Sequence, residues 1–330
     1  MGNIFCAPGE PFEVHPSFRP IIDKYDAFII DQWGVMHNGV VAMEGASECV
    51  QELARQGKKC IILSNTSSSE ESALSRLPKL GFDLSSLAGG AVTSGDLATA
   101  YIRENYSGKK ALVFSWKHPA APDPQEFMER CDDIVLVDNM EDDANLPDVV
   151  ILHGNEVILP ADKHGKPDEG QSLGDYILTG KMEQVVMPVL KRCAERSIPV
   201  LCVDPDLISV NPDGTVLYMP GTIANYYERT LRGPTLYFGK PDARAFRRAV
   251  ERLQQQFGIT KERMCHIGDS LHHDIAGANS IDLDSVLVLG GVHRVDLEND
   301  LGKLAPTSKL QDLFQQIGHT PTHVAPLLQL

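Results

Sequence analysis

Continuous apolar runs alternate with a stretch of helical periodicity in the first part of the chain. The run 27–30 stops at Asp31, and the run 59–63 stops at Ser64. Between these runs, apolar residues recur at helical spacing over 44–55. Apolar strands that lack polar alternation and are joined by a helix are typical of a parallel sheet buried on both faces.

The strand–helix–strand order places the two polar strand ends at one edge of the predicted sheet. A connection between parallel strands is nearly always a right-handed crossover, so Ser64 is expected beside Asp31. This edge is where ligands bind in open α/β sheets. Taken alone, Asp31 is equally well explained as a turn residue, so a functional interpretation depends on the rest of the chain.

Further runs predict an α/β protein built in two pieces. The later predicted strands are 111–114, 134–137, 149–152, 199–203, 264–267 and 285–289. Helical periodicity covers 182–196 and 243–257. The simplest interpretation is an α/β core formed by 1–95 and 234–330, with a second domain, 96–233, inserted into it.

Three segments are predicted to be irregular, and one strand is predicted to be the last of the sheet. Residues 1–19 contain several prolines and are predicted to form an irregular lead-in. The polar segment 153–174 is predicted to be a loop. The strand 285–289 is expected to close the sheet. The chain after a short helix at 310–317 is expected to be a proline-containing tail.

Length and charge narrow the range of functions. A chain of 330 residues is long for one hydrophobic core, so two domains are expected. The net charge of −15 argues against a nucleic-acid or anionic-membrane partner. A phosphate site in such an acidic protein must therefore create its own positive field with a lysine, a metal or backbone amides.

The cysteines and the N-terminal residues give information about the cellular location of the protein. The seven cysteines are scattered without a CxxC pair, and they are interpreted as reduced core residues of a cytoplasmic protein. No apolar run reaches the length of a membrane span, and no signal peptide is recognisable. Gly2 and Cys6 are candidates for myristoylation and palmitoylation, so an N-terminal lipid anchor is an open alternative.

A set of polar residues at predicted strand ends matches the needs of phosphoryl transfer. That reaction requires a nucleophile, positive charge and hydrogen-bond donors for the phosphoryl oxygens. Asp31 could be the nucleophile and Lys240 the positive charge. Asp269 could bind Mg²⁺, a hard cation that prefers carboxylates, and Asp274 could hold a water on it. Each residue alone is as well explained as a helix cap or a solvated surface residue.

Together these residues resemble the motifs of the haloacid dehalogenase superfamily of phosphotransferases. The four motifs are matched by 28–35, 63–65, 239–241 and 268–274. The inserted domain lies between the second and third motifs, which is similar to the class IIA branch of sugar-phosphate, nucleotide and p-nitrophenyl phosphate phosphatases. The resemblance implies a Rossmann-like parallel-sheet core with an inserted α/β cap of the C2 type.

The resemblance also implies roles for individual residues. The implied catalytic residues are Asp31, Ser64, Asn65 and Lys240. The implied contacts to a small phosphorylated substrate are Gly34, His37 and Asp206. The implied ligands of Mg²⁺ are Asp31, Asp269, Asp274 and the main-chain carbonyl of Trp33. A homodimer formed through the caps is expected by analogy alone.

Position 33 departs from the family pattern. Phosphatases of this superfamily carry a second aspartate there, which protonates the leaving oxygen and later activates water, whereas this chain has Trp33. An indole N–H has no acid or base function. General acid–base catalysis contributes about 10²–10⁴-fold, so a slow enzyme, one limited to good leaving groups, or one with another acid is expected. The candidates for that acid are His37, His272 and His273.

The leading hypothesis is a Mg²⁺-dependent phosphomonoester hydrolase that forms an aspartyl-phosphate on Asp31. The alternative is a catalytically impaired protein of this fold that binds a phosphorylated ligand or a protein partner. Trp33 favours the alternative, whereas the retention of the other motif residues favours the enzyme. Carbon–halogen or phosphonate chemistry is a weaker third hypothesis. The chain has no G-x-G-x-x-G after its first strand and no G-x-S-x-G, which argues against a dinucleotide-binding enzyme and a serine hydrolase.

Overall fold

Two compact units make up the chain. The computed structural model describes residues 12–137, 146–161, 169–211 and 214–330. The first unit consists of Met1–Ser64, Glu70–Val92 and Lys240–Leu330, and the second of Asn65–Ser69 and Thr93–Gly239. The roles of catalytic core and cap, predicted for 1–95 with 234–330 and for 96–233, stay predictions.

Strands and α-helices are numbered in chain order. The strands are β1 Glu13–Val14, β2 Ala27–Ile30, β3 Lys59–Ser64, β4 Ala91–Thr93, β5 Lys110–Ser115, β6 Val135–Leu136, β7 Val149–Leu152, β8 Val157–Ile158, β9 Gln171–Ser172, β10 Val200–Cys202, β11 Ile208–Val210, β12 Val216–Tyr218, β13 Thr235–Tyr237, β14 Met264–Gly268, β15 Asp284–Val288 and β16 His323–Ala325. The helices are α1 Arg19–Ile22, α2 Ala46–Arg55, α3 Glu70–Ser75, α4 Ser94–Tyr106, α5 Pro124–Cys131, α6 Tyr176–Thr179, α7 Val186–Glu195, α8 Pro220–Arg229, α9 Ala243–Phe257, α10 Ala276–Asn279 and α11 Thr307–Ile317.

A seven-stranded sheet forms the centre of the first unit, in the order β1-β16-β15-β14-β2-β3-β4. Strand β2 pairs in parallel with β3 on one side and with β14 on the other. Ile30 therefore lies opposite both Ile62 and Ile267. The α/β class and the parallel sheet that the sequence predicts are confirmed, and the carboxyl ends of β2, β3 and β14 are neighbours.

Hydrophobic packing covers both faces of this sheet. Val286 and Val288 of β15 belong to one core cluster, which also contains Phe28. Leu287, between them, belongs to another cluster, with Leu310 of α11. Because side chains alternate between the faces of a strand, a sheet that is buried on both faces needs apolar residues at consecutive positions. This burial explains the continuous apolar runs in the sequence.

Both ends of the chain contribute strands that the sequence did not predict. The lead-in 1–19 was predicted to be irregular; residues 1–11 lie outside the described residues, and the described part contains β1 and the start of α1 at Arg19. The tail after 317 contains β16, and β1 pairs with β16 beyond β15. The expectation that 285–289 closes the sheet is therefore wrong. These edge strands have two or three residues, too few to produce a periodic pattern.

The second unit contains a mixed sheet in the order β13-β10-β7-β5-β8-β9, with β6 also paired to β5. The pairs β5–β7, β7–β10 and β10–β13 are parallel, whereas β5–β8 and β8–β9 are antiparallel. Strands β11 and β12 form a separate antiparallel pair. The predicted loop 153–174 is wrong in part, because β8 and β9 lie within it. Both strands have only two residues, which explains why no pattern revealed them.

His153 is a fully buried titratable group in this unit. Its Nδ1 lies 2.8 Å from Ser115 Oγ, and its ring stacks on Phe127 with centroids 4.2 Å apart. Burial, assisted by the positive charge of Arg130, lowers the pKa of His153 to about 3. In the unfolded chain this imidazole has an ordinary pKa and begins to bind a proton near neutral pH. In the folded protein it stays neutral at that pH.

Acidification from pH 7 to pH 5 is expected to destabilise the protein in part through His153. The unfolded state then binds more protons, so the free energy of unfolding falls by at most about 1.4 kcal/mol per pH unit for this residue. The loss begins near the unfolded pKa of about 6.5 and levels off below the folded pKa. Urea unfolding at both pH values measures it. His153→Gln should reduce the pH dependence and the exposed control His118→Gln should not; equal slopes in all three proteins would contradict this account.

Three sequence predictions concern the cysteines, membrane-spanning helices and the N-terminal acylation sites. The six described cysteines are buried free thiols, as expected for reduced core residues. In the part of the chain that the structure describes, no helix has both the length and the apolar character needed to cross a bilayer. Gly2 and Cys6, the candidate acylation sites, lie outside the described residues.

Candidate active site

Asp31 lies directly after β2, at the carboxyl edge of the parallel sheet. Its backbone N–H donates to the carbonyl oxygen of Ile267 in β14, at 2.9 Å, which continues the pairing of the two strands by one residue. Asp31 is 7% exposed. A carboxylate held at a strand end with little access to water is positioned by the backbone before any ligand binds.

Lys240 connects two carboxylates of this edge. Its Nζ lies 2.5 Å from Asp31 Oδ1 and 2.8 Å from Asp274 Oδ1, and the lysine is buried. Burial opposes the positive charge, but attraction to Asp274 and Asp31 outweighs burial and raises the pKa of Lys240. Lys240 therefore stays protonated as a fixed ammonium between the two acids.

Asp269 follows β14, and glycine backbones surround it. Its Oδ2 accepts a hydrogen bond from the backbone N–H of Val292 at 2.8 Å. A Cβ at Gly291 would lie 1.8 Å from Asp269 Oδ2, and a Cβ at Gly34, whose φ is +80°, would lie 2.1 Å from it. Only glycine permits backbone this close to the carboxylate.

Asp274 lies on a π-helical turn, Leu271–Ile275, that directly follows the strand end. Its Oδ2 accepts from the backbone N–H of Ser270 at 3.0 Å, and His266 Nε2 lies 2.8 Å from its Oδ1. Burial opposes ionisation, yet Lys240 and His266 together hold the pKa of Asp274 below its ordinary value. These contacts favour the charged form of Asp274 and fix the orientation of its carboxylate.

His266 is a site residue that the sequence analysis missed. It lies inside β14, is completely buried, and its lowered pKa follows from that burial. The available signal was a polar residue within the apolar run 264–267, since a buried polar side chain needs a hydrogen-bond partner. Its partner is Asp274, so His266 is a positioning residue for that carboxylate.

Negative charge exceeds positive charge in this cluster. Burial, followed by repulsion from Asp274 and Asp269, raises the pKa of Asp31 well above its ordinary value against the attraction of Lys240. Three carboxylates therefore share one ammonium. One oxygen from each of Asp31, Asp269 and Asp274 lies within 4.8 Å of the others. Three converging carboxylates with unbalanced charge fit a hard divalent cation.

Comparison with known proteins decides the family. Residues 28–121 match the family described as haloacid dehalogenase-like hydrolase, and residues 237–326 match a family described as HAD-hydrolase-like. The two matches together contain Asp31, Lys240 and both acidic residues after β14. The chain belongs to the haloacid dehalogenase superfamily.

Relatives of this superfamily match along most of the chain. Human chronophin is 24% identical over 294 residues, which cover 85% of this chain and 86% of that protein. Sugar-phosphatase AraL of Bacillus subtilis is 23% identical over 266 residues, covering 80% of this chain and 82% of the relative. The crystal structure of a possible sugar phosphatase from Cytophaga hutchinsonii covers 97% of this chain and 99% of its own, with 22% identity and a TM-score of 0.73. The haloacid dehalogenase resemblance stated from the sequence is confirmed.

Trp33 lies two residues after Asp31, at the position that the sequence resemblance gives to a second aspartate. Its side chain is 42% exposed, and its ring meets the His37 ring edge to face, with centroids 6.0 Å apart. A Cβ at Gly39, whose φ is +88°, would lie 2.4 Å from the indole. Trp33 therefore lies on a tight loop and adds no ionisable group near Asp31.

His37 does not meet the requirement for the missing acid. Burial lowers its pKa to about 4, and its Nδ1 accepts the backbone N–H of Gly39 at 3.2 Å. A neutral imidazole keeps one N–H, but that proton is far less acidic than an imidazolium proton, so His37 is poorly suited to protonate a leaving oxygen at neutral pH. His272 shows the same direction: burial and the neighbouring His293 lower its pKa. His273, on the same turn as His272, donates its backbone N–H to Ser270 Oγ.

The remaining predicted site residues fall into two groups. Ser64 is the last residue of β3 and is buried next to the end of β2. Asn65 belongs to the second unit, where its Nδ2 donates to Asp206 Oδ1 at 2.8 Å. Gly239 lies there too, since a Cβ on it would be 2.4 Å from Asn65 Oδ1. The structure thus joins Asn65 to Asp206 within one unit and Asp31 to Lys240 and the acidic pair within the other.

Proposed function

We propose that this chain is a Mg²⁺-dependent phosphomonoester hydrolase that acts on a small phosphorylated metabolite through an aspartyl-phosphate on Asp31. The observation that supports the proposal best is the buried cluster of Asp31, Lys240, Asp269 and Asp274 at the carboxyl edge of the sheet. Relatives named as sugar phosphatases support the substrate class.

The first step is attack by the Asp31 carboxylate on phosphorus. A bond forms between the carboxylate oxygen and phosphorus, and the bond from phosphorus to the ester oxygen breaks. Lys240, 2.5 Å from Asp31 Oδ1, fixes the orientation of the carboxylate and offsets its repulsion from the anionic phosphate. Ser64, with Asn65, is assigned to hydrogen-bond donation to the phosphoryl oxygens. Bound to Asp31, Asp269, Asp274 and the Trp33 carbonyl, Mg²⁺ would supply charge neutralisation for the phosphate.

In the second step a water oxygen bonds to phosphorus, and the bond from phosphorus to the Asp31 oxygen breaks. Phosphate then leaves, the water's proton passes to solvent, and the Asp31 carboxylate is restored. Neither step receives a proton donor or acceptor from position 33, and His37 is neutral with one ring nitrogen already hydrogen-bonded. We therefore infer that esters with acidic leaving groups react much faster than alkyl phosphates, because an acidic alcohol departs without protonation. Gly34, His37 and Asp206 stay assigned to substrate contacts.

The deciding experiment is phosphate release across esters from p-nitrophenyl phosphate to alkyl and sugar phosphates, with Asp31→Asn as the blank. Turnover that requires Mg²⁺ and Asp31, with a steep dependence on the leaving group, is the expected result. Equal rates for alkyl and aryl esters would show that another residue replaces the aspartate. The absence of turnover above the blank on every ester would favour the second candidate, a phosphate-binding protein, for which Trp33 is the supporting observation.

Removal of one metal-ligand charge gives a separate prediction. Asp269→Asn keeps an oxygen that accepts from Val292 but removes a carboxylate charge, so the Mg²⁺ concentration for half-maximal activity should rise by at least about 10-fold. Activity measured against Mg²⁺ concentration tests this, with saturating ester. Asp296→Asn, an exposed acid outside the cluster, serves as the control. An unchanged Mg²⁺ requirement in Asp269→Asn would contradict the assignment of this residue.

A further inference from the structure

A second group of metal-binding side chains lies at the edge of the first unit's sheet, outside the cluster around Asp31. Glu13 and His15 are two residues apart along β1 and its extension, so they lie on one face of that strand. Glu13 is paired in parallel with His323, the first residue of β16. The extended pairing continues as His15 N–H donates to the carbonyl of Val324. Three potential ligands thus converge at the junction of β1 and β16.

The three ligand atoms are spaced like the face of a tetrahedral metal site. His15 Nε2 lies 3.2 Å from His323 Nδ1 and 3.3 Å from Glu13 Oε2, and His323 Nδ1 lies 3.5 Å from the same oxygen. Tetrahedral Zn²⁺ with ligands at about 2.0–2.1 Å requires ligand separations of about 3.3–3.4 Å. Hydrogen bonds between these groups have the same spacing, so the metal assignment rests on the convergence of all three ligand atoms at one point.

A hydrogen-bond relay fixes the tautomer of His323. Tyr25 O–H donates to Asp284 Oδ2 at 2.8 Å, and Tyr25 Oη lies 2.9 Å from His323 Nε2. Because the hydroxyl has one proton and the carboxylate only accepts, Nε2 must carry the proton that Tyr25 accepts. Nδ1 then presents its lone pair to His15 and Glu13. This tyrosine–carboxylate support is the arrangement that orients metal-bound histidines.

Both histidines are in the chemical form that binds metals. They are almost completely buried, and burial disfavours the charged imidazolium relative to the neutral ring. Without a metal, His15 Nε2–H donates to His323 Nδ1 at 3.2 Å. A metal would replace this bond, with the proton moved to His15 Nδ1, which has no hydrogen-bond partner among the described residues.

Lys24 opposes a cation at this cluster. Its ammonium contacts Glu13 Oε2, the carboxylate oxygen of the cluster. Lys24 is about one-third exposed, so its flexible side chain has room to move into solvent when a divalent ion binds. The lysine and the metal therefore compete for one oxygen, and removal of the lysine should favour the metal.

We propose that Glu13, His15 and His323 form a Zn²⁺ site that ties β1 to β16. Two imidazoles and one carboxylate suit Zn²⁺ better than Mg²⁺, which prefers oxygen ligands, so this site is chemically distinct from the carboxylate cluster. Its effect is structural: β1 has two residues and lies at the edge of the sheet, and a shared ion holds it in register. The proposal does not depend on the proposed function.

The test uses Co²⁺ as a spectroscopic substitute for Zn²⁺ on the full chain after metal removal with a chelator. The background variant Asp269→Asn weakens binding at the carboxylate cluster. We expect one equivalent of Co²⁺ to give the intense visible bands of a tetrahedral site and Zn²⁺ to abolish them by competition. Glu13→Gln should weaken binding at least about 10-fold, Tyr25→Phe about 10-fold to 100-fold, and Lys24→Met should strengthen it.

Folding is controlled independently, because Glu13 and Lys24 are partly exposed and their variants should keep the wild-type circular dichroism. Zn²⁺ is also expected to raise the Tm of the wild-type chain but not of Glu13→Gln. The proposal is overturned if wild-type protein shows no tetrahedral Co²⁺ bands. It is equally overturned if a correctly folded Glu13→Gln binds Co²⁺ as tightly as wild type, or if Lys24→Met weakens binding.

Discussion

Asp31→Asn is expected to lower kcat/KM for p-nitrophenyl phosphate by on the order of 10⁴–10⁶-fold, the range found when one member of a covalent catalytic group is removed. The amide is nearly isosteric with the carboxylate but cannot attack phosphorus. Lys240 keeps Asp274 as its partner at 2.8 Å, so the rest of the cluster should stay in place. Initial rates of phosphate release at saturating Mg²⁺ measure the effect.

The same substitution should leave the protein as stable as wild type or more stable. Burial and the neighbouring carboxylates raise the pKa of Asp31, which means that its negative charge destabilises the folded state. A neutral side chain removes this destabilisation. Asp274→Asn is the matched control with the opposite sign, because Lys240 and His266 stabilise the charge of Asp274. Thermal unfolding of both variants tests this difference. A loss of stability in Asp31→Asn equal to that in Asp274→Asn would contradict the electrostatic account of the cluster.

Trp33→Asp is expected to raise kcat for alkyl phosphates by about 10²–10⁴-fold, the usual contribution of general acid–base catalysis. Under the proposed motif assignment, the substitution supplies a carboxyl group that can protonate the leaving oxygen and activate water. The gain should be small for p-nitrophenyl phosphate in the first step, because its leaving group needs no proton. Because Trp33 is 42% exposed, its removal opens no cavity in the core.

Trp33→Asn is the control for this gain of function. Asparagine has the size and polarity of aspartate without its acid–base function, so it should leave the rate on alkyl esters unchanged. Comparable rates in Trp33→Asp and Trp33→Asn would show that the missing carboxyl group does not limit the wild-type enzyme. The indole lies against the Gly39 and His37 part of the loop and is 42% exposed, so both variants should fold.

The central strands could be predicted because both faces of the sheet are buried. Strands β2, β3 and β14 need apolar residues at consecutive positions, and such runs are visible without an alignment. Strands β1 and β16 could not be predicted in this way. Each has two or three residues, and their pairing depends on contacts between the two ends of the chain, which no local pattern encodes.

The charged side chains of the site were easier to predict than the residues and backbone groups that position them. Asp31, Lys240, Asp269 and Asp274 carry the charges that phosphoryl transfer requires, and Asp31 and Asp269 follow predicted strands. His266 was missed because an imidazole within an apolar run does not show which carboxylate it contacts.

The backbone contacts of Asp269 were missed for a different reason. Val292 donates its backbone N–H to that carboxylate. Every residue except proline has such a group, so no residue type in the sequence indicates the contact. Nothing in the sequence distinguished Gly291 from the other glycines, although a Cβ at this position would collide with Asp269.

The most direct test of the proposed chemistry is to trap the phosphorylated protein. Wild-type chain is mixed with p-nitrophenyl phosphate and Mg²⁺, quenched in acid within the first turnover and analysed by intact mass and peptide mapping. Because position 33 provides no base for the second step, the acyl phosphate should accumulate, with one phosphoryl group on the peptide that contains Asp31. Phosphate release that continues without a phosphoryl group on that peptide, and that persists in Asp31→Asn, would contradict the account.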